Sequence, residues 1–401
     1  MGHDLIVVGG GPAGATCARK AAQLGMDVLL IEKANHPRRK ACGGGLTRRV
    51  TDSLDFDFSS VVEQEQCGLR LFSPSGLAVE EIRDELTGYT VRREDFDHLL
   101  LQKAEEAGAE VIQGVAVLDV MEDSSDVRVF TDDKSHSANI VVGADGVNST
   151  IARRSRIFPR WENDQIGLCI EASVPMDPSD IMRISRKSDG GDRVLIEIYF
   201  GALVHGYAWA FPKKNEFSLG IGVLVSEMHD LKGAWQRFVS SFENRYEVKV
   251  DLSDQTAMRV PLGGPIENTC SKRIMLIGDA AGFVAPATGE GIYYAIESGK
   301  IAAEVSNKLV SGAANVSTLT YQREWMGSFG NDLKISKFLA GMMFHSIDNM
   351  ERVCQMAHDD EVMRRYVLDL IMGIHPNKVM RNRMIKRMLV KHPLKAIKMI
   401  L

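Results

Sequence analysis

The six cysteines of this 401-residue chain, at positions 17, 42, 67, 169, 270 and 354, include no Cys-x-x-Cys pair and no clustered spacing. That argues against a zinc site, an iron–sulfur cluster and a disulfide framework, and it leaves reduced thiols of the kind found in a cytoplasmic protein. No metal is expected. Long apolar runs are missing too. No window reaches the roughly 18 apolar residues of a membrane span, and the chain passes from Met1 into "LIVVGGG" without a basic leader. Any membrane contact is therefore expected to be peripheral, at the inner face of the cell membrane. There is no internal repeat, no low-complexity linker, and no basic stripe joined to a nucleic-acid motif. With a net charge of −5, nucleic acid is not an expected partner. Acid is absent from one segment in particular. From Pro376 to Leu401 the chain carries Lys378, Arg381, Arg383, Lys386, Arg387, Lys391, Lys395 and Lys398 with no Asp or Glu, so this tail is +8 and the remainder −13.

What is present begins with "DLIVVGGGPAGATCARKAAQLGMDVLLIEK". A short apolar run, a glycine turn, an Ala-rich helical stretch and a second apolar run make a strand–turn–helix–strand unit. Gly9, Gly11 and Gly14 stand in G-x-G-x-x-G spacing. The first permits the sharp turn, the second lets a pyrophosphate approach the backbone, and the third lets helix and strand pack closely. Free N–H groups at the helix start point at the phosphates. Glu32 ends the second run, where a carboxylate can accept both hydroxyls of an adenosine ribose.

"GLRLFSPSGLAVEEI" reads as a hairpin through Ser73-Pro74-Ser75-Gly76, followed by a strand at Tyr89 to Val91 and a helix from about Glu94 to Ala107. The runs "EVIQGVAVLDV", "DVRVFT" and "ANIVVGADG" predict a small meander across the nucleotide unit. Between about 160 and 260 the pattern turns to β runs with one helix near Leu231 to Tyr246, a separate antiparallel sheet. "RIMLIGDAAGFVAPATGEGIYYAIESGKIAAEVSNKL" returns to strand, loop and long helix, and the last ~90 residues read as helical. The helix in this segment should begin near Gly289 to Ile292, where free N–H groups can stabilise an anion. Glu290 reads best as a first-turn acid matching the helix dipole.

Four separated pieces, "GGGPAG" with Glu32, "RREDFDHLL", "GADGVNSTIARR" and "GDAAGFVAPATGEGI", together resemble the FAD-binding core of the para-hydroxybenzoate-hydroxylase-like flavoproteins over roughly residues 3 to 310. The resemblance implies that Asp279 binds the ribityl chain, that Arg93 approaches the cofactor, and that Asp145 with Gly146 braces its phosphate side. Read as isolated residues, these are a loop cap, a surface charge and a turn former. Ala13, Val117, Gly289, Gly291 and Ile292 are further implied cofactor neighbours. Within that superfamily, "GYAWAFPKK" and "KACGGGL" are similar to motifs of the geranylgeranyl reductase family.

On a strand, Tyr207, Trp209 and Phe211 share one face while Ala208 and Ala210 share the other. Periodicity alone would make the aromatic face sheet core; the resemblance makes it a wall for a long apolar substrate. Lys213 and Lys214 follow in a turn, as solvated charges or as contacts for a substrate phosphate. "HPRRKACGGGLTRR" sets Cys42 and three glycines between basic clusters. By resemblance this loop lies beside the flavin, with Ala41 and Gly44 as cofactor neighbours and Cys42 tuning or gating the flavin face; a small buried residue without a chemical role is the alternative. Arg38, Arg39 and Lys40 can offset phosphate charge. Cys17 reads as packing.

The resulting expectation is a mixed α/β (α+β) chain. A discontinuous, Rossmann-like FAD-binding domain with a β-meander occupies residues 1–66, 92–158 and 265–312. A substrate domain built on an antiparallel sheet occupies 67–91 and 159–264, and a helical region spans 313–401. The implied activity is FAD-dependent reduction of C=C bonds in an isoprenoid lipid or prenyl diphosphate, with NAD(P)H or a ferredoxin-like protein as the external electron donor. An aromatic monooxygenase, a relative of electron-transfer-flavoprotein–quinone oxidoreductase, and a non-catalytic prenyl-lipid binding protein are the rivals. The basic, Met-rich tail can lie on an anionic bilayer or pack on the body as a solvated helix.

Overall fold

The structure, a computed structural model, describes residues 2–186 and 193–400. Residues 187–192 of the expected substrate segment, with Met1 and Leu401, lie outside the described residues.

The apolar runs His3–Val8 and Val28–Glu32 pair in parallel, and Glu110–Gln113 continues the parallel sheet beyond Val28–Glu32. On the other side His3–Val8 pairs in parallel with Ser135–Gly143. That long strand forks. Its first half is antiparallel to Val127–Phe130, which pairs in turn with Asp119–Glu122, while its last residues pair in parallel with Ile274–Leu276. "EVIQGVAVLDV" thus does not form one meander strand. Its first part is the edge strand of the nucleotide sheet and only its second part belongs to the meander. A continuous apolar run carries no period that marks such a break.

Pro12 opens the helix Pro12–Gln23, where its missing N–H leaves no bond unmade. The helix Ile292–Val310 lies along it, and close approach depends on Gly299: a Cβ there would stand 2.5 Å from the Ala13 carbonyl oxygen.

The second sheet has seven strands in the order Gln255–Pro261, Ile166–Pro175, Glu216–Leu224, Gly206–Pro212, Leu195–Tyr199, Gly68–Phe72, Ala78–Ile82. It is antiparallel, as expected, except where Leu195–Tyr199 runs parallel to Gly68–Phe72. The hairpin through residues 73–76 forms as expected. A three-stranded sheet of Gly45–Thr47, Gly88–Val91 and Val62–Gln66 joins the Cys42 loop to this region.

Each face of the second sheet has its own core. Ala208, Ala210, Phe217 and Leu219 pack under the helices Pro178–Ser185 and Leu231–Tyr246. The opposite face, with Ile196, Ile198 and Trp209, meets the C-terminal helices through Met343, Phe344, Met372, Met380, Met384 and Met388. The tail is therefore docked on the body. Its helix Asn377–Lys391 buries one methionine face, and Arg387 is bonded to Asp360 at 2.6 and 2.8 Å. Among the described residues no helix is long and apolar enough to cross a membrane.

Candidate functional site

A cavity of about 920 Å³ runs from the nucleotide sheet to the face of the second sheet that the C-terminal helices cover. The sequence-predicted residues converge on it from every part of the chain: Gly9, Gly11, Ala13 and Glu32; Ala41, Cys42 and Gly44; Arg93, Val117 and Asp145; Tyr207, Trp209 and Phe211; Asp279, Gly289, Gly291 and Ile292. Gly14 does not line it. A Cβ at Gly14 would stand 1.9 Å from the Gly9 carbonyl oxygen, so this glycine serves helix packing.

In the nucleotide half, Gly9 turns with φ +108, and a Cβ there would collide with the Ala144 carbonyl. The Glu32 carboxylate accepts the amides of Gly10 and Ala34, which fixes it at the cavity edge with lone pairs to spare for a ligand. Asp279 lines the cavity beside Gly291, and its carboxylate makes no hydrogen bond among the described residues. Asp145 instead caps the short helix Thr150–Arg154, accepting from Ser149 Oγ at 2.5 Å and from the Thr150 and Ile151 amides. Burial raises its pKa against these bonds. Arg93 is buried, not a surface charge, and is held by Asp97 through two bonds of 2.8 and 2.9 Å. Burial opposes its charge, but Asp97 and then the neighbouring Cys42 outweigh this and push its pKa up. Arg38 pairs with Asp97 near Gly11, whereas Arg39 pairs with Glu171 of the second sheet and with Asp254 just before its strand Gln255–Pro261. Side-chain-free backbone, an open carboxylate and a helix N-terminus in one cleft fit a dinucleotide such as FAD.

The glycines after Cys42 have a definite reason. A Cβ on Gly43 would stand 2.6 Å from Phe211 Cδ2 and 3.1 Å from Trp209 Nε1, and one on Gly45 would reach Phe211 Cε2 at 3.0 Å. The loop lies flat on the aromatic face of Gly206–Pro212. Gly44 adopts φ +74, with the Val91 carbonyl where a Cβ would be. The Gly44 amide donates to Cys42 Sγ at 3.4 Å. Trp209 in turn lies over Gly220, where a Cβ would stand 2.0 Å from its ring, and Tyr207 donates to the Thr288 carbonyl at 2.7 Å. Burial, with Cys169 and Cys42 adding to it, pushes the Tyr207 phenol up. Burial carries the Cys169 thiol up to about 12. This wall is uncharged.

Two expectations are corrected. Glu290 is not a free first-turn acid: it precedes the helix and forms an ion pair with Arg49, reinforced by Thr47 Oγ1 at 2.6 Å. Lys213 is neither solvated nor open to a phosphate, being 3% exposed and paired with Glu216 at 3.3 Å. Lys214 stays exposed.

The sequence reading missed the roof, made of Ala340, Gly341, Phe344, Ile371 and Met372, and it missed Cys169 and Gln66. Gln66 is 1% exposed, lines the cavity, and its Nε2 has no partner among the described residues. It also passed over Gly220 and Gly222, although "GIG" shows the same two-residue period as the aromatics it faces.

Residues 3–188 match the FAD binding domain family. Over 392 residues the chain is 30% identical to the digeranylgeranylglycerophospholipid reductase of Methanosarcina mazei, covering 93% of this chain and 92% of that protein. The chain belongs to the geranylgeranyl reductase family. Another relative, the geranylgeranyl diphosphate reductase of Rhodobacter capsulatus, is 28% identical over 375 residues, covering 91% and 90% of the two chains. The family fold extends to the crystal structure of a geranylgeranyl bacteriochlorophyll reductase-like protein from Thermoplasma acidophilum, with a TM-score of 0.81 and 23% identity over 99% of this chain and 98% of that one. FAD is the cofactor of this family member.

Proposed function

We propose that the protein is an FAD-dependent oxidoreductase that saturates C=C bonds in the isoprenoid chain of a geranylgeranyl-type lipid. The observation that carries this reading is a single cavity shared by the dinucleotide-binding half and the aromatic wall of Tyr207, Trp209 and Phe211. When bound, reduced FAD would supply hydride to one carbon of the double bond, while a proton from water or a nearby acid completes the other carbon. The chain contributes position and dryness. An isolated alkene is a poor hydride acceptor, so it must be held at reacting distance with water excluded. The wall and the roof of Ala340, Phe344 and Met372 present hydrocarbon to the substrate, and each CH₂ they bury contributes roughly 0.8 kcal/mol. Tyr207 and Cys169 are neutral at physiological pH and burial moves both further from ionising, so neither places a charge against an apolar chain.

Within this reading Glu32, Arg93, Asp279 and the glycines at 9, 11, 289 and 291 hold the cofactor, Asp145 braces the loop on its phosphate side, and Cys42 borders its reactive face. The substrates named for the relatives are a glycerophospholipid and a diphosphate, and the uncharged cavity wall fits the prenyl tail that such molecules share. The electron donor is NAD(P)H or a ferredoxin-like protein, and the enzyme works in the cytoplasm at the inner face of the membrane.

The test is spectroscopic. The purified protein is reduced anaerobically and mixed with a geranylgeranyl lipid or with its fully saturated counterpart. Return of the oxidised flavin spectrum with the first and not the second supports the reading; equal response to both, or to neither, rejects it.

A further inference from the structure

The tail has two sides. Its inner side is fixed: Met380, Met384, Met388, Ala396 and Met399 are buried, Arg387 and His392 bond Asp360, and Lys395 bonds Asp359 at 3.0 Å. Its outer side carries four large apolar side chains in the open, with Leu389 at 55%, Val390 at 67%, Leu394 at 76% and Ile397 at 52% exposure. Leu389 and Val390 are neighbours at the end of Asn377–Lys391, and Leu394 and Ile397 stand three apart on Pro393–Ile400, so the four form a short exposed apolar stripe of chain on either side of the break at His392. Exposed lysines 386, 391 and 398 border it, none in an ion pair among the described residues. The body buries five neighbours of these residues and leaves the four uncovered, the kind of exposed apolar group that marks an interaction site.

We propose that this stripe is a docking surface for an anionic phospholipid bilayer. The apolar side chains enter the interface and the lysines meet lipid phosphates, an arrangement that suits an amphipathic helix lying in the membrane plane. Charge argues against a second copy of the chain as the occupant. A two-fold contact would bring the lysines of one stripe against those of the other, with no acid in the tail to neutralise them. Both tail helices pack on Asn331–Met343, the helix that gives Ala340 and Gly341 to the cavity roof. The docked surface therefore lies one helix from the site that receives the lipid. The inference takes its purpose from the lipid-reductase reading, but binding is measured without turnover, so either can fail alone.

The experiment is co-sedimentation of the full-length holoprotein with vesicles of phosphatidylglycerol and phosphatidylcholine, and with phosphatidylcholine alone. Binding should need the anionic lipid and weaken with added salt. Leu394→Glu with Ile397→Glu, and separately Lys386→Glu with Lys391→Glu and Lys398→Glu, should each lower it by at least about tenfold. Flavin absorbance and the thermal midpoint of each variant report that the fold is kept. Absence of binding to anionic vesicles, or binding that both variants retain, overturns the proposal. So does a dimer in light scattering that Leu394→Glu with Ile397→Glu splits, because the stripe would then cover itself.

Discussion

Arg49 and Glu290 form a half-buried ion pair, with Nε to Oε1 at 3.0 Å and the two side chains 18% and 9% exposed. The pair joins the helix that follows the Cys42 loop to the loop that precedes Ile292–Val310. The same guanidinium reaches Asp332 and the hydroxyl of Tyr294, and it stacks over the rings of Tyr293 and Tyr294 at 4.4 and 5.0 Å. Asp332 in turn accepts the Asn377 amide at the start of the tail helix. One cation thus ties together the loop at the cavity, its roof and the tail.

Replacing Glu290 with Ala should leave that half-buried cation beside Tyr294 without its main partner. The expected cost is about 2 kcal/mol in urea unfolding, the range for losing hydrogen bonds to a charged group that keeps other partners. A cost below about 0.5 kcal/mol would place the pair with exposed ones.

Gly43 and Gly44 should respond differently to alanine. At Gly43 the added methyl meets the movable rings of Phe211 and Trp209. The fold and the flavin should survive while turnover falls on the order of 10²-fold from displaced substrate. At Gly44 the obstacle is the Val91 backbone and the conformation is left-handed, so stability itself should drop by roughly 1–3 kcal/mol. Thermal melts and steady-state rates of the two variants separate these outcomes.

Gln66 offers a trade. A buried donor without a partner costs about 1–3 kcal/mol. Gln66→Leu should therefore raise the thermal midpoint of the apoprotein and weaken binding of whichever ligand the amide faces, read as flavin retention or as KM for the lipid. A lower apoprotein midpoint would mean that the amide has a structural partner.

Acid should loosen the tail. The Arg387 guanidinium bonded to Asp360 holds that carboxyl well below the usual carboxylate range. A depressed folded-state pKa gives stability that is fully present above the unfolded value of about 3.9 and is lost as pH falls through the folded one. Pepsin cleavage within residues 377–398 should accelerate as pH falls below about 4, and Asp360→Asn should show fast tryptic cleavage already at neutral pH. An unchanged neutral rate in that variant would remove Asp360 from tail docking.

Much of this was legible in sequence because the signals are local. Gly9, Gly11 and Glu32 lie within one strand–helix–strand unit, and the shared face of Tyr207, Trp209 and Phe211 follows from a period of two. The Arg49–Glu290 pair joins residues 241 positions apart, and no pattern in either segment announces the other. Nothing in the loop sequence shows that the space beside Gly43 is taken by Phe211 and Trp209, which arrive from the second sheet. Lys213 resembled a turn lysine because its burial depends on Glu216 and the strands around it. The roof was hidden for a related reason: apolar helices in the last ~90 residues show that a core exists, and only their packing shows that it covers a cavity.

The central claim is that electrons held at the nucleotide end of the cavity saturate an isoprenoid lying against the aromatic wall. Its most direct test is mass spectrometry of lipids recovered from the anaerobically reduced protein after exposure to a panel of prenyl diphosphates and prenylated glycerophospholipids. Addition of hydrogen in pairs to the chain, abolished by Trp209→Ala with the flavin retained, is the expected result. Recovery of every lipid unchanged, or of products that have gained oxygen when air is admitted, would contradict it.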